Sequence, residues 1–87
     1  MVCRIYDVAG ATLEHYDKVD GILGPEKPDG ALCHIAGMLD GRLQVIEVWE
    51  SPEHIEAYMA TLGPALQEAE LPEPSISEFE VHRLDWL

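Results

Sequence analysis

Asp40-Gly41 lies between two apolar runs, Ala31–Leu39 and Arg42–Trp49, and this dipeptide constrains the fold more than any other feature of the chain. A two-residue loop that matches the right-handed twist of its strands needs positive φ at both central residues, and Asp-Gly supplies it. The pair predicts a type I′ hairpin with Leu39 opposite Arg42. Counting back, Met38 faces Leu43, Ala36 faces Val45, His34 faces Glu47 and Leu32 faces Trp49. Residues paired in this way share one face of the sheet.

The remaining elements fall around the hairpin. Val2 to Val8 is rich in β-formers and reads as a first strand, broken by Ala9-Gly10-Ala11. Thr12 is a helix N-cap and Glu14 complements the dipole in the first turn. Leu13, Tyr16, Val19 or Asp20, and Leu23 follow helical spacing, which predicts a helix over Leu13 to Leu23 that Gly24-Pro25 ends. Gly24 to Gly30 (GPEKPDG) is turn chemistry throughout. Ser51, Pro52 and Glu53 mark the start of a second helix, whose apolar stripe is Ile55, Tyr58, Met59, Leu62 and Leu66. Gly63-Pro64 is expected to interrupt or kink it, with a short piece continuing to about Glu70. Ile76 to Leu84 alternates and reads as a last strand, followed by a short tail. The order β-α-β-β-α-β predicts an α+β, ferredoxin-like domain spanning 1–87: an antiparallel sheet with both helices on one face.

Charge narrows the function classes. Seventeen acidic residues against five basic ones give a net charge of −12, the wrong sign for phosphate backbones and for anionic membrane surfaces. No apolar run approaches the ~20 residues of a membrane span. The first residues, MVCRIYDV, lack the pattern of a signal peptide. A soluble, cytoplasmic protein with no nucleic-acid or membrane partner is expected. Cys3 and Cys33 form no CxxC, and no Cys/His cluster has zinc spacing, so neither metal nor cofactor is expected. At 87 residues the core is small, and self-association is the remaining common route to stability.

The strands divide into two kinds of side. Cys3, Ile5, Cys33, Ile35, Ile46, Val48, Phe79 and Val81 form an aliphatic side, while Arg4, Tyr6, His34, Glu47, Trp49, Glu80 and His82 collect on the other. The aliphatic side is the natural floor for the helices. That would leave Trp49, Val45, Leu43, Met38 and Leu32 bare on the mixed side, too much apolar surface to leave wet. A second copy is expected to cover it across a two-fold axis.

The stretch Val45 to Leu66, VIEVWESPEHIEAYMATLGPAL, resembles the dimeric α+β barrel superfamily, best known for the antibiotic-biosynthesis monooxygenase-like proteins. A strand ends in Glu-x-Trp-Glu-Ser (Glu47 to Ser51), and a helix then opens with Pro-Glu and carries an aromatic residue at Tyr58. Enzymes of this group often carry a His where this chain has Tyr58. The resemblance implies a dimeric barrel and a site used variously by cofactor-independent oxygenases, haem-degrading enzymes, isomerases and cyclases.

His34 and Glu47 are the leading candidates for chemistry. A carboxylate beside an imidazole orients it and raises its pKa, giving an acid or base usable near neutral pH. The same pair would also serve as a structural polar contact. His82, two residues from Glu80, is a weaker version of the arrangement. Arg4 and Tyr6 could bind an oxyanion or carbonyl, although Arg4 is also read as an interior ion pair with Glu47 or Glu80. Trp49 and Tyr58 could stack on a flat substrate or simply pack. His15 and His54 read as surface or capping residues, and both thiols as unreactive. No phosphate loop or nucleophile elbow is present.

Two classes of function stand open. One is a cofactor-independent enzyme, monooxygenase-, cyclase- or isomerase-like, acting on an aromatic or polyketide-type molecule. The other is a non-catalytic, small-molecule-binding or stress-associated dimer. An aromatic-sized cavity beside His34, on the order of 300 Å3 or more, belongs to the first. A site filled by Met38, Trp49 and Tyr6 belongs to the second.

Overall fold

The computed structural model describes residues 1–87. Its elements run β1 (Val2–Ala9), α1 (Leu13–Leu23), β2 (Ala31–Leu39), β3 (Arg42–Trp49), α2 (Pro52–Glu68) and β4 (Ser75–Glu80). The strands form one antiparallel sheet in the order β2-β3-β1-β4. This is the ferredoxin-like α+β arrangement that the element order predicts. Asp40 and Gly41 have φ of 52° and 76°, as the type I′ turn requires.

The local signals act as read at both helix starts. Thr12 caps α1, and the Nδ1 of His15 returns to the Thr12 backbone at 3.0 Å. Ser51 caps α2 by accepting from the His54 backbone. Three boundaries and registers differ from expectation. Helix α2 runs unbroken through Gly63-Pro64. Pro64 lies on the exposed side, while Leu62, Ala65 and Leu66 on either side of it stay packed on the core, and that burial outweighs one lost hydrogen bond. Strand β4 ends at Glu80 rather than running to Leu84, with one further backbone bond from the Val81 N–H to the Met1 carbonyl at 3.0 Å. The β2–β3 register slips by one between Ala31 and Cys33, so Ala31, rather than Leu32, lies opposite Trp49.

The main correction concerns which side of the sheet the helices cover. They lie on the mixed side. Tyr6, Val8 and Leu43 of the sheet pack with Val19 of α1 and with Leu62 and Ala65 of α2 in one buried cluster. Trp49 joins Val2 and Ile55 in a second. Trp49, Leu43 and Val8 are the largest fully buried side chains, which explains the outcome. The helix stripes include Tyr16, Tyr58 and Met59, long enough to fill the space over polar groups such as His34 and Glu47. The aliphatic side, the expected floor, is the open one. Ile35 and Phe79 are 56% and 53% exposed there. Leu13, at the start of the α1 stripe, is also exposed.

Candidate active site

Alternation along β3 places Glu47 and Trp49 on the helix-covered side, and the register brings His34 across from Glu47. The four side chains that meet there form one hydrogen-bonded line. Trp49 Nε1 donates to Glu47 Oε1 at 3.2 Å. The other carboxylate oxygen, Oε2, lies 3.1 Å from His34 Nδ1. His34 Nε2 lies 2.7 Å from the hydroxyl of Tyr16 on α1. A carboxylate only accepts, so Nδ1 carries a hydrogen and donates to Glu47. The Nε2 of the neutral ring then accepts from the Tyr16 O–H. Glu47 is buried, and its hydrogen bond to His34 pushes the imidazole pKa up, against the opposing effect of partial burial. Burial likewise pushes the phenols of Tyr6, Tyr16 and Tyr58 up, so all three stay protonated donors near neutral pH.

Two cavities meet at this line. The outer one, about 630 Å3, opens between β2, α1 and the Gly24–Pro28 loop, and its walls include His34, Glu47, Trp49 and Tyr58. Tyr58, partly buried, is its aromatic wall, with the buried Trp49 ring behind at 5.4 Å between centres. The inner one, about 70 Å3, lies under the helices among Val8, Val19, Leu43, Val45, Leu62 and Leu66. Tyr16, His34 and Glu47 border both.

Of the residues singled out from sequence, His34, Glu47, Trp49 and Tyr58 converge on the outer cavity, and Tyr6 borders the inner one. Met38 is 42% exposed and fills neither. Arg4 is committed elsewhere: its partner is Glu78, 2.9 Å away, rather than Glu47 or Glu80, and its guanidinium lies 5.9 Å from the Tyr6 ring centre. His82 follows the end of β4, is exposed and borders neither cavity. No three His, Cys, Asp or Glu side chains gather in an arrangement able to hold a metal ion. Tyr16 is the contributor that the sequence reading missed. Its place on the α1 stripe marked it as packing, and only the crossing of α1 over β2 puts its hydroxyl on His34.

The fold, an antiparallel ferredoxin-like sheet with both helices on one side, has counterparts among solved structures. Similar solved structures include a protein from Deinococcus radiodurans assigned by inference as an antibiotic biosynthesis monooxygenase, with 16% identity, a TM-score of 0.65, and cover of 100% of this chain and 98% of that one. SnoaB, a cofactor-independent oxygenase from Streptomyces nogalater, matches in a mutant form at 15% identity and a TM-score of 0.65, over 95% of this chain and 92% of its own. The protein YjcS matches at 16% identity and a TM-score of 0.67, over 94% of this chain and all of its own. The resemblance noted in the sequence therefore holds at the level of fold. No family model matches the chain, and no curated protein matches it in sequence. No helix is long and apolar enough to cross a membrane.

Proposed function

We propose that this chain is a homodimeric acid–base enzyme that needs no cofactor and oxygenates a flat aromatic or polyketide-type molecule. The observation that carries the reading is an imidazole, oriented by a buried carboxylate, on the wall of an aromatic-lined cavity of about 630 Å3. That volume lies in the range of ordinary ligand sites and holds a molecule of several rings. Two of the structural neighbours carry oxygenase descriptions, one of them cofactor-independent.

In this reading the substrate lies against Tyr58 and Tyr16, with Trp49 packed behind. Its acidic proton passes to the Tyr16 oxygen while the Tyr16 hydrogen moves to His34 Nε2. The imidazolium that forms is stabilised by Glu47, which Trp49 Nε1 holds in place. The carbanion left on an activated CH2 group reacts with dioxygen and regains the proton, giving a C–OOH group. Loss of water from that group leaves a ketone, so CH2 and O2 become C=O and H2O. Both electron pairs come from the substrate, and His34 returns to its neutral form.

The open aliphatic side supports self-association. Ile5, Ile35, Ile46 and Phe79 form an apolar surface on a sheet that has no second layer, and a second copy covers it sheet against sheet.

One observation favours the second reading, a non-catalytic binder: no buried side-chain polar atom lacks a partner, as in a site built only for packing. Oxygen uptake decides between the two. The protein, incubated with an anthrone-type compound carrying an activated CH2, consumes one O2 per ketone formed, and His34→Ala does not. Binding of such compounds without uptake by the unaltered protein would leave the binder reading standing.

A further inference from the structure

We propose that the inner chamber is a binding site for dioxygen, held against the base from the side opposite the organic substrate. The inference rests on the oxygenase reading and adds to it a place for the second reactant. At about 70 Å3 the chamber is roughly half the ~150 Å3 apolar cavity that takes a benzene ring, so no aromatic substrate enters it. A diatomic molecule fits.

The chemistry of the wall selects among small molecules. It is almost wholly hydrocarbon, supplied by Val8, Val19, Leu43, Val45, Leu62 and Leu66. A trapped water needs two to four polar partners. The polar groups that border the chamber have partners outside it: Glu47 has Trp49 and His34, His34 has Tyr16, and Tyr6 has the Arg4 guanidinium. Water gains little there, whereas an apolar gas loses nothing. The location is as informative as the wall. Tyr16, His34 and Glu47 form the partition between the chamber and the outer cavity, so a molecule in the chamber rests behind the group that generates the carbanion.

Paramagnetic relaxation by dissolved oxygen tests this directly. Methyl resonances of Leu62 are compared under oxygen and nitrogen pressure with those of Ile55, which is buried like Leu62 but packs in the other cluster. The chamber methyls relax at least ~3-fold more strongly than Ile55, and xenon shifts the same resonances in a saturable way. Leu66→Phe fills the space and removes both effects. Val45→Ile, a gentler filling, reduces them and serves if the larger substitution unfolds the protein. In turnover either variant raises KM for oxygen and leaves KM for the organic substrate unchanged. Equal relaxation at Leu62 and Ile55 would overturn the site, as would an unchanged oxygen KM in a filled variant that turns over. If no compound drives oxygen uptake, the oxygenase reading falls by that result alone, while the relaxation experiment still decides whether the chamber holds the gas.

Discussion

His34 Nδ1 lies 3.1 Å from Glu47 Oε2, and the two residues are direct partners across β2 and β3. The hairpin turn fixes that pairing six residues away, so the geometry of the site is set by Asp40-Gly41 as much as by its own side chains. Glu47→Gln removes the charge and keeps the shape. The His34 titration then moves down toward its ordinary value near 6.5, as followed by imidazole NMR shifts. An unmoved titration would show that the pair does not touch in solution.

The same pair sets a pH dependence of stability. Its folded-state pKa is raised, so the contribution is fully present below the unfolded value of 6.5 and is lost as pH rises through the folded value. Thermal melting from pH 5 to 9 therefore shows a declining component above about 6.5 that His34→Ala lacks. The imidazole is 46% exposed, so solvent screens the effect and it remains small.

Tyr16→Phe separates relay from packing. The ring stays and the hydroxyl goes, so substrate affinity is retained while kcat falls by ~100–10,000-fold, the scale of a positioned proton-transfer group. His34→Ala abolishes turnover and leaves the fold, read by circular dichroism, intact. Wild-type kcat in the phenylalanine variant would place Tyr16 among the packing residues.

Gly30 ends the loop at the cavity mouth with φ at +83°, and a Cβ there would lie 2.3 Å from His54 Cγ. Gly30→Ala is expected to cost about 2–4 kcal/mol, the sum of left-handed strain and the clash. In the double variant with His54→Ala the ring contacts go while the Cβ at position 54, 2.7 Å away, stays, so the cost falls only in part. Chemical denaturation of the four proteins measures the coupling.

Ile46→Lys places a charge in the middle of the open side of the sheet. Light scattering is expected to read a dimer for the parent and a monomer for the variant. A parent that runs as a monomer at micromolar concentration would refute the assembly.

Much of the fold was legible because its punctuation is strong. Asp40-Gly41, Thr12, Ser51-Pro52 and Gly24-Pro25 each permit few conformations, and the elements begin and end at them. The pairing of His34 with Glu47 followed from parity along two strands. The choice of covered side did not. Polarity alone favoured the aliphatic side, whereas the volume of Trp49, Leu43, Tyr16 and Tyr58 decides it, and volume complementarity is a property of helices and sheet together. Tyr16 was missed for the same reason, since its partner lies 18 residues away across an α1–β2 crossing. Arg4 found Glu78 because β4 pairs there, a register that no turn in the sequence specifies.

The slipped register at Leu32 carries one more consequence. With the regular ladder a leucine would stand across from Trp49. The extra residue puts Ala31 there instead, and both border the outer cavity. Removing a single residue from this stretch, by deleting Ala31, would restore the even ladder and bring Leu32 in front of the indole. The hollow would lose depth while the pairs from Cys33 onward stayed as they are. Indels at this one position are thus a natural dial for the size of guest the protein admits, separate from the machinery that moves protons.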